Sequence, residues 1–135
     1  MSENRYYLSE RSKSNMAGID YRLIAIAKMA ILLTRVDFGV PSNGGIRIAT
    51  VQNALYLKGY SKCDGYRILS KHQSGMALDF YAYVDGKASW DKAHLSNVAC
   101  AFLQAASILG HKVSWGGLWK NFDDYGHIEL LELAV

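Results

Sequence analysis

The sequence predicts a single α+β domain in which helices pack on a small antiparallel sheet. Apolar residues recur at helical spacing in two stretches, Leu23, Ile24, Ala27, Ala30 and Ile31 in one and Leu95, Val98, Ala99, Phe102, Leu103 and Ala106 in the other. Between them, Met76 to Val84 alternates as a strand does, with Ala77, Asp79, Tyr81 and Tyr83 on one face and Leu78, Phe80, Ala82 and Val84 on the other. The resulting order of helices, strands, helix and strands suits an antiparallel α+β arrangement.

Each element follows in order. A core helix is expected over residues 19–35, and a shorter one from Thr50, a good N-cap, to Leu57 before Gly59. Between these, "DFGV" (37–40) and "GGIRI" (44–48) read as extended segments. The strand over 76–84 closes at the Asp85-Gly86 turn. Ser89 or Asp91 caps the long helix, and Gly110 stops it. Two short strands complete the sheet, around Val113 to Trp115 and Gly126 to Leu131.

The 135 residues fit one domain with one core, taken as spanning 1–135, and contain no low-complexity segment and no repeat. Half are apolar or aromatic and a fifth are charged, a globular composition rather than a disordered one. The first sixteen residues lack the apolar centre of a secretory signal. The longest apolar stretch, residues 23–33, carries Lys28 and falls short of the roughly 20 residues that span a bilayer, so no stable membrane insertion is expected. Fifteen Lys and Arg against 12 Asp and Glu leave only +3 with no clustered block, which argues against a nucleic-acid partner. Cys63 and Cys100 form no CxxC pair, so a thiolate zinc cluster is excluded and both read as reduced.

The chemistry concentrates in "SKHQSGMALDF" (70–80) and "FDDYGHIEL" (122–130). Asp79 falls within a half-buried strand, where a carboxylate needs a partner, and Gly75 lets the chain turn so that His72 folds back toward it. A catalytic zinc takes three protein ligands and a water, and His127 is a third donor in a comparable setting, on the final strand with Glu129 on the same face. Asp124, three residues before His127, is spaced to act as a general base on a metal-bound water without being a ligand. Arg47, following a glycine pair, is suited to hold a substrate carboxylate or to stabilise an oxyanion. On these residues alone, a turn with a satisfied surface histidine stands as the alternative to a metal site.

Ser70, His72, Gly75, Ala77 and Asp79 together spell S-x-H-x-x-G-x-A-x-D, and Asp124 to His127 spell D-x-x-H. These motifs resemble those of the zinc peptidases that comprise bacterial D,D-carboxypeptidases, vancomycin-resistance dipeptidases and phage L-alanyl-D-glutamate endopeptidases. "WGGLWKNF" (115–122) resembles the Trp-Gly-Gly-x-Trp run of the phage lysins, and Gly45, Ile46, Arg47 and Gln52 match the upstream motif. The resemblance runs from Gly45 to Leu130. It implies a zinc peptidase domain with the site on the sheet, Zn2+ held by His72, Asp79 and His127, Asp124 as general base, Arg47 stabilising the oxyanion, and Ser70 supporting through a hydrogen bond. Asp123 competes for the base role, although the three-residue offset favours Asp124. The sequence departs from its relatives at Leu118, where an aspartate is often found, and at Gly126, where proline is frequent.

Of the implied activities, the lysin-like run and the small form point to an endolysin of phage or prophage origin, a monomer cutting the L-Ala-D-Glu bond of the peptidoglycan stem peptide. It would be made in the host bacterial cytoplasm and reach the wall through a membrane pore formed by another protein. The alternatives are a D,D-carboxypeptidase or dipeptidase acting on D-Ala termini, and a non-catalytic wall-binding module. His94 and His111 are expected to face solvent. Ser74 lacks a G-x-S-x-G elbow and Cys63 a neighbouring base, so neither is a nucleophile. Trp115, Trp119 and the tyrosines are expected in the core and along the rim of a groove.

Overall fold

The computed structural model describes residues 6–131. It is a small α+β domain with four α-helices and six strands. Helix α1 (Glu10–Asn15) is followed by α2 (Tyr21–Leu33), β1 (Asp37–Gly39), α3 (Ala49–Leu57), β2 (Ala77–Asp79) and β3 (Tyr81–Val84). Then come β4 (Lys87–Ser89), α4 (Lys92–Leu109), β5 (Val113–Trp115) and β6 (His127–Leu130). Short 3-10 turns cover Lys71–Ser74 and Gly116–Leu118.

The expected single sheet is instead two three-stranded antiparallel sheets, ordered β1-β3-β4 and β2-β6-β5. Both are fed by one stretch, because the strand expected over 76–84 breaks at Phe80. There the backbone N–H donates to Gly126 O at 2.7 Å, extending the β2–β6 register by one residue, and from Tyr81 onward the chain pairs with β1 instead. The Phe80 ring lies in the core, stacked on Phe102 at 4.9 Å and edge-on to Phe38 at 6.4 Å. Burying such a ring contributes about 1.5–3 kcal/mol, enough to set the chain's path where the sheets separate. Leu23, Ile26, Ala27 and Ala30 of α2 and Val98, Ala99, Phe102 and Ala105 of α4 are inaccessible to solvent, and they form the helical side of this core.

Capping follows the sequence closely. Asp20 caps α2 by accepting from Arg22 N, Asp91 caps α4 by accepting from Ala93 N, and Gly110 ends α4 in the left-handed conformation. Asp85 and Gly86, both at positive φ, make the tight turn between β3 and β4. Several expectations need correction. Helix α3 begins at Ala49 after Ile48, which offers no side-chain cap, so Thr50 lies inside it. "GGIRI" is a loop rather than a strand, and it still pairs locally, Gly44 O accepting from Asp79 N at 2.7 Å. Helix α1 and strand β4 are further elements beyond those expected. No helix among the described residues is long and apolar enough to cross a membrane.

Candidate active site

The site forms where the turn before β2 meets the start of β6. Ser70 caps the 3-10 turn, its Oγ accepting from His72 N at 3.2 Å, and Gly75 closes the turn at φ +75°. A Cβ at Gly75 would lie 3.2 Å from Gly18 O, and the Gly75 carbonyl accepts from Asp20 N at 2.8 Å. The N-terminus of α2 therefore holds the turn that presents His72, and a side chain at Gly75 would push it away. Antiparallel pairing places Asp79 of β2 directly across from His127 of β6. His72, Asp79 and His127, 72 to 127 being mostly intervening chain, thus converge, with one donor atom from each lying within 4.8 Å of the others.

The hydrogen bonds assign the ring nitrogens. His72 Nδ1 lies 2.8 Å from Gly45 O, a carbonyl that only accepts, so Nδ1 carries the hydrogen. His127 Nε2 lies 2.8 Å from Glu129 Oε1 and donates to it. The remaining nitrogens, His72 Nε2 and His127 Nδ1, face the same Asp79 oxygen at 3.2 and 3.0 Å. With neutral rings this sets two lone pairs against one carboxylate oxygen, and only a proton or a cation between them reconciles the three. Tetrahedral zinc, with bonds of about 2.0–2.2 Å, holds its donors roughly 3.4 Å apart, near the 3.2 and 3.0 Å that separate Asp79 Oδ1 from the two histidine nitrogens. The donor set fits a metal ion.

In the protein alone, a proton on His127 fills that role. Burial opposes charge on His127, but its bonds to Asp79 and Glu129 outweigh this and hold it up to about 9. Burial likewise opposes charge on Asp79, and the two histidines hold its carboxyl well below the ordinary range. Burial and the nearby Asp79 charge push Asp124 upward, the direction a general base requires.

The Arg47 guanidinium lies against Asp79. Its Nη2 donates to Asp79 Oδ2 at 2.7 Å, Nη1 to Gln52 Oε1 at 3.0 Å, and Nε to Asn43 O at 2.6 Å. The guanidinium first holds Asp79, leaving one N–H on each Nη. Gln52, inaccessible to solvent, ties this arginine to the next loop by donating to Ser61 Oγ and Cys63 O. Gln52 appears in the sequence only as a motif match, and one buried amide in a helix gives no signal of its task. Lys71 is a second residue whose part is invisible in the sequence. Its ammonium donates to Leu130 O and lies 3.3 Å from Glu129 Oε2, backing the carboxylate that orients His127.

Asp124 is delivered by the Trp-Gly-Gly run. Gly116 O accepts from Asp124 N at 2.9 Å, and Trp115 Nε1 donates to Tyr125 O at 2.9 Å. A Cβ at Gly116 would lie 2.3 Å from Asp124 O, so only glycine allows this approach. Gly126 has a similar reason, since a Cβ there would stand 2.5 Å from Phe80 O. Asp124 and the His72, Asp79 and His127 group line one cavity of about 330 Å³, together with Arg47 and Trp119. Trp119 packs on His127 with ring centroids 5.0 Å apart. Asp123 does not line this cavity and lies 3.8 Å from Lys92. His94 and His111 lie outside the site and are partly buried rather than fully solvent-facing, His94 bonding Ser89 Oγ at 2.8 Å. Leu118 is 73% exposed and no contact explains it. Cys63 and Cys100 are free thiols.

Residues 4–131 match the family of phage L-alanyl-D-glutamate peptidases. The L-alanyl-D-glutamate peptidase of Escherichia phage T5 is 31% identical over 93% of this chain and 98% of its own length. The peptidoglycan L-alanyl-D-glutamate endopeptidase CwlK of Bacillus subtilis is 31% identical over 64% of this chain and 58% of its own. The crystal structure of the Serratia marcescens L-Ala D-Glu endopeptidase ChiX superposes with a TM-score of 0.83 at 29% identity, covering 94% of this chain and 91% of that one. The family match spans nearly the whole chain, and the chain belongs to the phage L-alanyl-D-glutamate peptidase family.

Proposed function

We propose that this protein is a zinc endopeptidase of peptidoglycan that hydrolyses the L-Ala-D-Glu bond of the stem peptide, with His72, Asp79 and His127 as the metal ligands. The observation that carries this reading is the convergence of two histidine ring nitrogens on one Asp79 oxygen, in a cavity that Asp124 also lines and in a chain of this family. When bound, zinc would supply Lewis acidity to the scissile carbonyl and lower the pKa of a water toward about 7.

The chain's own groups supply the rest. Arg47 fixes the Asp79 carboxylate through Oδ2, and its remaining N–H donors are available to the carbonyl oxygen as negative charge develops there. Glu129 keeps the hydrogen of His127 on Nε2, so that Nδ1 stays directed at the donor cluster. Asp124 accepts a proton as the water oxygen bonds to the alanyl carbonyl carbon. It returns that proton to the glutamyl nitrogen as the C–N bond breaks, leaving an L-Ala carboxylate and a D-Glu amine. Its upward displacement makes it a better acceptor than an exposed aspartate.

All these groups belong to one chain, which fits action as a monomer. The reading places the protein at the wall of a host bacterium after release through a pore made by another protein. Digestion of purified peptidoglycan by the zinc-loaded protein tests the reading. New amino groups on D-Glu, with L-Ala left on the glycan, are expected. Release of free D-Ala alone would replace it with a D,D-carboxypeptidase, and binding without any product would indicate a wall-binding module.

A further inference from the structure

The cleft continues past Asp124. Asp79 and Asp124 also border a second cavity of about 340 Å³, walled by Pro41, Phe80, Trp90, Lys92 and Tyr125. The two lobes thus meet at the proposed reacting centre, and they differ in charge. In the first, Arg47 neutralises Asp79, Lys71 faces Glu129, and Lys62 adds a cation over the Phe122 ring at 5.4 Å. The second shares Asp79 and Asp124 with the first and has Asp123 in place of Glu129, so the carboxylates are equal in number, but its cation is Lys92 alone, whose ammonium also lies over the Tyr125 ring at 5.0 Å. A substrate carboxylate is drawn toward the first lobe and repelled from the second.

Trp90 marks the second lobe. It precedes the Asp91 cap of α4, remains 64% exposed, and packs against Tyr81 at 5.8 Å with the rings tilted by 35°. Tyr81 is itself confined, since it pairs with Gly39 across β1 and β3 and a Cβ at Gly39 would lie 2.5 Å from its hydroxyl oxygen. A single exposed aromatic residue is ordinary on a protein surface. One backed by a second ring, at the lip of a lobe that reaches the proposed general base, is a prepared contact surface with little side-chain entropy left to lose.

The substrate of the proposed reaction has a matching asymmetry, so this inference rests on that reading. On the amine side of the scissile bond, D-Glu carries an α-carboxylate one carbon from the nitrogen, followed by more charged peptide. On the carbonyl side stands one residue, L-Ala, whose nitrogen is acylated by the lactyl ether of an uncharged N-acetylated amino sugar. One extended residue spans about 3.3–3.6 Å, so that sugar must occupy the lobe adjoining the site on the alanine side. We propose that the Trp90 lobe is a subsite for the amino sugar attached to L-Ala, Trp90 lying against the sugar's C–H face, and that the Lys62 lobe receives the anionic D-Glu side.

The test compares two substrates in the zinc-loaded enzyme, N-acetylmuramyl-L-Ala-D-Glu-containing stem peptide and the same peptide N-acetylated in place of the sugar. The wild type is expected to show a KM about fivefold to tenfold lower for the muramyl substrate, the usual worth of one aromatic contact. In Trp90→Ala the ratio of the two KM values should collapse toward one, and Trp90→Tyr should restore it. N-acetylmuramyl-L-alanine, titrated by calorimetry without turnover, should bind the wild type more tightly than Trp90→Ala by the same factor. Equal KM values in the wild type, or a ratio unchanged by Trp90→Ala, would overturn the subsite while leaving L-Ala-D-Glu cleavage intact. Cleavage of neither substrate at that bond would overturn the proposed function, and the subsite with it.

Discussion

His127 Nε2 and Glu129 Oε1 lie 2.8 Å apart, two residues along the same strand face, and this bond leaves Nδ1 of the ring directed at Asp79. An imidazole without such a partner samples both tautomers and a wider range of ring orientations. Glu129→Ala should therefore weaken zinc affinity by about 10- to 100-fold while the protein stays folded. Glu129→Gln, whose amide oxygen still accepts from Nε2, should lose less. Competition with a chromophoric chelator measures both, and equal affinities for wild type and Glu129→Ala would remove Glu129 from the site.

Protons and metal compete for His127. Its folded pKa, held up to about 9, exceeds the ordinary 6.5. The imidazolium therefore stabilises the metal-free fold fully below pH about 6.5, and that contribution is lost as the pH rises through about 9. Zinc must displace this proton, so its affinity should climb about tenfold per pH unit from neutrality up to about pH 9. The sequence alone suggests a dependence centred on the unperturbed histidine value of about 6.5; the Asp79 and Glu129 partners move it upward. Zinc titrations in metal buffers at several pH values decide, and an affinity flat above neutrality would contradict the assignment.

Asp124 is proposed to move a proton rather than to hold the metal. Asp124→Ala should retain zinc and stability yet lose turnover by a factor of roughly 100 to 10,000. Asp123→Ala, which removes the partner 3.8 Å from Lys92, should change turnover far less. A dead Asp123→Ala beside an active Asp124→Ala would reverse the two roles. His127→Ala should instead lose zinc, and metal analysis after gel filtration separates the cases.

Gly116→Ala probes how the base is delivered. The added Cβ would fall 2.3 Å from Asp124 O, so the 116–124 contact must open. Turnover should drop while zinc binding by the three ligands persists. A variant with full activity would show that the Trp-Gly-Gly run does not position Asp124.

Gln52→Ala removes a solvent-inaccessible amide that bonds Arg47, Ser61 Oγ and the Cys63 carbonyl. Leaving such groups unpaired costs about 1–3 kcal/mol each, less whatever water restores. A loss of about 2–4 kcal/mol is expected in urea unfolding, together with lower kcat/KM because Arg47 no longer holds Asp79 rigidly. Unchanged stability would mean that water replaces the amide.

Local pattern by itself determined most of the elements, because helix stripes, caps and turns depend on neighbours in the chain. Asp20, Asp91, Gly110 and the Asp85-Gly86 turn act within a few residues of where they stand. His72, Asp79, Asp124 and His127 were also legible, since their motifs keep fixed spacings around a turn and a strand. Alternation over 76–84 names two faces but not the strand opposite each, so the break at Phe80 and the division into two sheets follow from Gly126 and the Phe38-Phe102 cluster. Tertiary structure likewise decided that Arg47 grips Asp79, that Lys71 backs Glu129, and that Trp90 borders a cleft ending at Asp124. Those relationships join residues 32, 58 and 34 positions apart, and no local periodicity encodes a partner that only chain closure brings into contact.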